Sequence, residues 1–100
     1  MAQIDIQELD WDHVNEQHML QTHGITKEDL EAVCYGNSAN LYVEDAHTGR
    51  LRVMGPQGDG KILVVILSPK GGGRFYPVTA KPTKRQELRR YNDWKAGHQP

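Results

Sequence analysis

The chain has 100 residues, of which 37% are hydrophobic, and a formal net charge of −1. This size and composition predict one small domain with a modest core, over residues 1–97, followed by a tail at 98–100. The chain lacks an apolar run of about 18 residues, so we expect no membrane span, and it lacks a cationic start before an apolar stretch, so we expect no signal peptide. It has no second cysteine, so we expect no disulfide framework and a cytoplasmic setting.

Two short helices are predicted in the N-terminal third of the chain. The stretch 11–22 places Trp11 and Val14 on one stripe at helical spacing. Gly24 separates it from a second helix, which begins after the N-cap residue Thr26 and carries two acids in its first turn. The connection is only two or three residues long, so the two helices are expected to form an antiparallel or crossed pair.

Four strands are predicted in the middle of the chain, where the helical spacing gives way to alternation and β-branched runs. The run 62–67 is continuously apolar, as in a central strand that is covered on both faces. Pro77 removes one backbone donor, so the last strand is expected at an edge of the sheet or bulged at this point. The predicted strands are 41–43, 50–54, 62–67 and 74–79.

A third helix is predicted after Pro82. The segment 83–86 has the pattern of a capping box, and Leu88 and Tyr91 give the helix an apolar side. Tight turns between successive strands favour an antiparallel meander with the helices packed on one face. The fold class is therefore α+β, with two N-terminal helices, a four-stranded antiparallel meander sheet and a C-terminal helix.

One glycine-rich segment has part of the phosphate-loop pattern. Gly55, Gly60 and Lys61 fall at the required spacing, but Ile62 stands where a serine or threonine would hold magnesium. The segment also joins two strands and does not open a helix. A hairpin turn explains it, and no nucleotide cofactor is predicted.

The histidines and the cysteine do not predict a metal site. His13, His18 and His23 are five residues apart, and this spacing cannot place all three on one helical face. Histidine pairs that bind metals are three or four residues apart, and Cys34 has no second cysteine. We predict a core thiol for Cys34, a helix-capping role for His23 and no bound metal.

The charges are strongly unequal along the chain. Residues 1–48 contain ten acids and one base, whereas residues 69–100 contain eight bases and two acids. One face at the C-terminal end can therefore bind a polyanion although the whole chain is nearly neutral. The alternative is that the acidic half packs beside the basic half and cancels its field.

The basic segment offers the groups needed to cleave RNA without a metal. That reaction needs a base for the ribose 2′-hydroxyl, cations around the phosphorane and an acid for the leaving oxygen. The structural alternative is a surface ion pair between Glu87 and Arg90, with Tyr91 in the core. The candidate groups are Arg74, Lys81, Arg85, Glu87, Arg89 and Tyr91.

Three segments in order resemble the BrnT-type toxins, which are ribonucleases of the RelE-like superfamily in bacterial type II toxin–antitoxin operons. The first runs from Trp11-Asp12 through His23-Gly24 to Leu30, and the second from Arg50 to Leu67. The third is Val78-Thr79-Ala80-Lys81 followed by Glu87 and Tyr91, where the family has Ile-Ser-Ala-Arg, a glutamate and a tyrosine.

The resemblance implies an endoribonuclease that arrests translation and needs no cofactor. It further implies neutralisation by a small ribbon-helix-helix antitoxin, and the oligomeric state expected is a homo-oligomer or a heterotetramer with that antitoxin. The expected catalytic residues are Arg50, Arg74, Lys81, Glu87 and Tyr91, and the expected RNA-binding residues are Lys84, Arg85 and Arg89.

A second reading keeps the same fold without the chemistry. Lys81 replaces the arginine of the family motif, which removes a bidentate fork, and Leu88 stands where the family has another arginine. A catalytically inactive relative that binds RNA or a protein partner through the same basic face also fits this pattern.

Overall fold

A computed structural model describes residues 4–97 of the chain as one sheet with helices on both faces. The predicted tail at 98–100 lies outside the described residues. The helices are α1 (His13–His23), α2 (Lys27–Cys34) and α3 (Arg85–Gly97), with short 3-10 turns at Ser38–Asn40 and His47–Gly49. The strands are β1 (Glu8–Leu9), β2 (Tyr42–Asp45), β3 (Leu51–Pro56), β4 (Ile62–Gly71) and β5 (Arg74–Pro82).

The sheet has five strands in the order β1-β5-β4-β3-β2. Strands β2 to β5 form the antiparallel meander that the sequence predicts, with β4 in the centre. The prediction of four strands was wrong by one, because β1 adds a parallel pair that aligns Glu8 with Arg74 and Leu9 with Phe75. A strand of two residues is too short to have a recognisable hydrophobic period, so tertiary pairing alone reveals it.

Helices cover both faces of the sheet, whereas the sequence predicted all of them on one face. The first face carries the row Val43, Val53, Val65 and Ala80, which forms one core with Leu30, Val33 and Met19 of α1 and α2. The second face carries the row Tyr42, Met54, Val64 and Lys81, on which Tyr91 and Trp94 of α3 pack. We call this second side the α3 face. The alternating side chains of β4 are buried on both sides, which requires a helix over each.

The N-terminal ends of α1 and α2 are fixed by capping boxes. Asp12 accepts from the backbone N–H of Asn15 at 2.8 Å, and the Asn15 side chain accepts from the backbone of Asp12 at 2.9 Å. Thr26 and Asp29 exchange equivalent bonds at 3.1 Å, which confirms the predicted start of α2. Helix α1 begins at His13, two residues later than predicted, because Asp12 serves as its cap.

Strand β5 contains the irregularity that Pro77 predicts. Ile66 lies opposite Thr79 and Leu67 lies opposite Pro77, so Val78 is an extra residue on β5. The bulge reverses the alternation of side chains beyond it. As a result Tyr76 precedes the bulge and Lys81 follows it, yet both belong to the α3 face.

Within residues 4–97, no helix combines the length and the apolar character that crossing a membrane requires.

Candidate functional site

Helix α3 leaves part of its own face of the sheet uncovered. The helix lies over the first row of that face, where the Trp94 ring stacks on Tyr42 at 5.3 Å and lies 5.7 Å from Tyr91. The next row of the same face lies beside α3 and is half-buried. It consists of Glu44, Arg52, Ile66 and Thr79, and we call it the open row.

Lys81 and Glu87 form an ion pair where β5 ends and α3 begins. The Lys81 Nζ lies 3.5 Å from Glu87 Oε2, and Glu87 is only 8% exposed. The other carboxylate oxygen, Oε1, accepts from the backbone N–H of Lys84 at 2.8 Å. Glu87 therefore caps the first turn of α3 and at the same time holds a cation in place.

Glu44 organises the second group of charges. Its Oε1 lies 3.3 Å from Arg90 Nη2 on α3 and 3.7 Å from Arg52 Nη1 on β3. The hydroxyl of Tyr42 also bonds to Glu44, and this hydrogen bond raises the tyrosine pKa above its usual value. Arg52 Nε is buried without a hydrogen-bond partner among the described residues.

The outer side of β5 is lined by contacts with α1. Tyr76 donates its hydroxyl hydrogen bond to Asp12 Oδ2 at 2.9 Å, and His18 Nε2 lies 3.4 Å from Thr79 Oγ1. The backbone bond from Asn15, and then the bond from Tyr76, lower the pKa of Asp12. These contacts place a histidine and two hydroxyl groups along the strand that carries Lys81.

Arg74 lies at the other end of β5 from Lys81. Seven residues separate the two, which at the rise of a strand corresponds to about 23 Å. The guanidinium of Arg74 is 3.0 Å from Asp10 and 3.5 Å from Glu8, so it fastens the N-terminal segment to the sheet. The fold does not bring Arg74 together with Lys81 and Glu87.

The other residues expected in the site fall into three positions. The Tyr91 hydroxyl donates to the Asn40 carbonyl at 2.7 Å in the core under α3, and burial raises its pKa. Arg50 is exposed in the connection before β3, two residues from Arg52. The exposed cations at the start of α3 are Lys84, Arg85 and Arg89.

Arg52, Arg90 and Glu44 were not predicted to share a site. Arg52 was visible in an alternating strand, but only the register between β2 and β3 places it opposite Glu44. The structural alternative paired Arg90 with Glu87, but Arg90 contacts Glu44 while Glu87 contacts Lys81. The strand pairing and the path of α3 decide these partners, and neither has a local sequence signal.

The thiol and the imidazoles are not assembled into a nucleophile or a metal site. Cys34, the last residue of α2, is buried in the core between the helices and the sheet, and burial, followed by the charge of Glu31, raises its pKa to about 12. Its thiolate is therefore scarce at neutral pH. Among residues 4–97, no three His, Cys, Asp or Glu side chains are grouped so that they could hold a metal ion.

No family model matches this sequence, and no curated protein matches it either. Its fold is similar to that in the crystal structure of the Brucella abortus ribonuclease toxin, BrnT, with a TM-score of 0.63 and 20% sequence identity. The match covers 78% of this chain and 97% of that chain. It confirms the α+β, BrnT-like fold predicted from the three sequence segments, and at this identity it establishes the fold alone.

Proposed function

We propose that this chain is a toxin-like endoribonuclease of a type II toxin–antitoxin system, which cleaves RNA in the cytoplasm without a metal and so arrests translation. One observation carries the proposal: the α3 face carries two groups of charges, Lys81 paired with the buried carboxylate of Glu87, and Arg52 and Arg90 paired with Glu44. The similar fold of a ribonuclease toxin supports it.

The proposed chemistry divides between the two groups of charges. Glu87 moves the proton of the 2′-hydroxyl or of the leaving oxygen, and Lys81 stabilises the negative charge of the phosphorane at that point. Arg52 and Arg90 bind a neighbouring phosphate when it displaces them from Glu44.

The remaining cations have supporting roles in this proposal. Lys84, Arg85 and Arg89 are exposed at the start of α3 and bind the RNA backbone. Arg50 lies two residues from Arg52 and also binds the RNA backbone in this proposal. Arg74 and Tyr91 keep their contacts with Asp10 and Asn40, and we leave both out of the chemistry.

The proposed partner is a small ribbon-helix-helix antitoxin that covers the α3 face, and the proposed assembly is a homo-oligomer of this chain or a heterotetramer with that antitoxin. The cations of the α3 face and of the start of α3 are complementary to an acidic segment of such a partner, whereas the acidic N-terminal half would repel that segment. Co-expression with the protein encoded beside this chain, followed by purification and mass measurement, tests the assembly.

Induction of the chain alone in bacteria tests the activity, with growth, translation and RNA integrity as readouts. Wild type should arrest growth and fragment RNA, and Lys81→Ala should lower the cleavage rate of the purified protein about 100-fold. Glu87→Gln should do the same while keeping α3 capped, because the amide oxygen still accepts from Lys84. The control is Lys27→Ala, a cation that lies over the Trp11 ring on the other side of the sheet.

Intact RNA at verified soluble expression, or cleavage that survives both site substitutions, would contradict the proposal. The second candidate is an inactive relative that binds RNA through the same face. It is favoured by the pairing of each central cation with a carboxylate, namely Lys81 with Glu87 and both arginines with Glu44. RNA binding that Lys81→Ala weakens, without any cleavage, would support this candidate.

A further inference from the structure

A cavity of about 540 Å³ opens at the end of the sheet, outside the charge groups described above. Three connections surround it: the turn between α1 and α2, the hairpin between β3 and β4, and the loop between β5 and α3. Its volume lies in the range of small-molecule pockets, roughly 300 to 1,000 Å³. We call it the end cavity.

The inner wall of the end cavity is apolar. Ile25 and Leu63 contribute from the core, Ile62 is half-buried, and Leu88 of α3 closes one side with 37% of its surface exposed. Leu88 is one of the large hydrophobic side chains that the described chain leaves exposed. Such a wall is suited to a flat group with apolar faces, because contact would remove the apolar surfaces of the wall and of the ring from water.

The rim of the end cavity carries hydrogen-bonding groups of both kinds. His23, Gln57 and Thr83 can each donate and accept, Asp29 is an acceptor, and Lys61 is an exposed cation. Apolar walls with a polar rim and one cation match a nucleobase joined to a phosphate. The carboxylate of Asp29 favours bases with an exocyclic amino group, which uracil lacks.

The lining of the end cavity includes close neighbours, along the chain, of the residues proposed for cleavage. Thr83 follows Lys81 by two residues, a distance of about 7 Å along an extended chain, and Leu88 is the neighbour of Glu87 on α3. An RNA strand whose phosphate contacts Lys81 would therefore bring the next nucleotide to the mouth of the cavity.

We propose that the end cavity binds one unpaired base of the RNA substrate, next to the bond that is cleaved, and thereby selects the sequence that is cut. This inference rests on the proposed function. It assigns single-stranded RNA as the substrate class, because a base in a duplex is stacked and cannot enter a cavity.

Titration of the purified chain with the four nucleoside 5′-monophosphates, followed by NMR, tests the binding step without any cleavage. Amide signals around the end cavity should shift, most weakly with uridine monophosphate. Leu88→Ala removes part of the wall in a position where alanine favours the helix, and should weaken binding roughly tenfold. Leu88→Glu places a negative charge at the mouth and should weaken it further.

The matched controls are Leu20→Ala and Leu20→Glu on α1, because Leu20 is also an exposed leucine of a helix but does not line the cavity. These variants should bind the nucleotides as wild type does. An absence of shifts around the cavity at millimolar nucleotide, equal binding of all four nucleotides, or equal losses in the Leu20 variants would overturn the inference.

Mapping of the cut sites on a mixed RNA separates this inference from the proposed function. Leu88→Ala should change which sites are preferred, whereas Lys81→Ala should lower cleavage at every site. Cleavage by Leu88→Ala with unchanged site preferences would contradict base selection by the end cavity, while the proposed ribonuclease activity would remain supported. If nucleotides bind in the cavity but the chain cleaves no RNA, the proposed ribonuclease activity would be contradicted, and the cavity would remain a nucleotide-binding site.

Discussion

Two buried side chains of α3, Glu87 and Tyr91, each satisfy a backbone group elsewhere in the chain. Glu87 accepts from the N–H of Lys84, and Tyr91 donates to the carbonyl of Asn40. Only Glu87 is also in contact with a cation of the α3 face, Lys81. Because a buried polar group that loses its partner destabilises the fold, substitutions at both positions have to be chosen so that folding and chemistry are separated.

Tyr91→Phe should lower the free energy of unfolding by about 1 kcal/mol, because the Asn40 carbonyl loses its donor while the ring keeps its packing against Trp94. Urea denaturation measures this change. The cleavage rate of the folded variant is the second readout. A rate near that of wild type supports the structural role, whereas a large loss in a stable variant would return Tyr91 to the proton-transfer groups.

The charge of Asp12 should make the stability of the chain depend on acid pH. Its pKa in the folded state lies below the ordinary value of 3.8, because the carboxylate accepts bonds from Asn15 and Tyr76. The unfolded state therefore binds more protons, and the stabilisation is present above the ordinary value and is lost as pH falls through the folded pKa.

Asp12→Asn isolates this contribution, because asparagine is itself a good N-cap residue. The melting temperature of the variant should lie below that of wild type at neutral pH, and the two should approach each other as the pH falls through the lowered pKa of Asp12 in the folded state. Thermal denaturation followed by circular dichroism over a pH series measures the difference. A gap that stays constant down to acid pH would show that the charge of Asp12 plays no part.

At the scale of the elements, the bulge in β5 decides which side chains reach the α3 face. Phe75 and Lys81 are an even number of residues apart, and strict alternation would place both in the core beneath α1 and α2. The extra residue Val78 reverses the alternation, so Phe75 stays in that core while Lys81 pairs with Glu87. Pro77 favours this irregularity because it cannot donate to the neighbouring strand.

Gly55 controls how closely α2 approaches the sheet. A Cβ on this residue would lie 2.6 Å from Leu41 Cδ2 and 3.2 Å from Val33 Cγ1. Gly55→Ala should therefore lower the free energy of unfolding by about 1 to 3 kcal/mol. Gly58→Ala, in the following hairpin, meets no atom within 4 Å and is the matched control. Equal stability of the two variants in urea denaturation would contradict the close contact.

At the scale of the whole molecule, the acidic and basic parts of the chain are in contact at several points. Arg74 contacts Glu8 and Asp10, and Arg90 contacts Glu44. The acidic part therefore neutralises some of the cations, as one alternative expected. The start of α3 still has exposed cations, as expected for a face that can bind a polyanion. In the proposed function, RNA would have to compete with the carboxylate of Glu44 for Arg52 and Arg90, so only a moderate attraction is expected.

RNA binding should for this reason show the salt dependence that is expected when only a few phosphates are contacted. With about three to five phosphates neutralised, the logarithm of the association constant should fall with the logarithm of salt concentration with a slope of about −2 to −3.5. Fluorescence anisotropy with a labelled single-stranded RNA measures the slope. Arg85→Ala and Arg89→Ala should each reduce it, and binding that is insensitive to salt would contradict the proposed surface.

The sequence by itself determined the local elements. Three features act over only a few residues: the cap at Thr26, the β-branched run of β4 and the proline of β5. The helices, the meander and the bulge could therefore be predicted from neighbouring residues. Together with the order of three short motifs they also predicted the BrnT-like fold, which the structural similarity confirms.

Tertiary structure alone decided which charges meet. The partners Glu44 and Arg90 lie 46 residues apart, and their contact depends on the register of β2 and on the direction in which α3 crosses the sheet. The fifth strand, the second helical layer and the separation of Arg74 from Lys81 depend on the same long-range packing. Hydrophobic periodicity gives the buried side of an element but not the residue that will lie opposite it, and a site built from opposing residues is fixed only when the sheet is assembled.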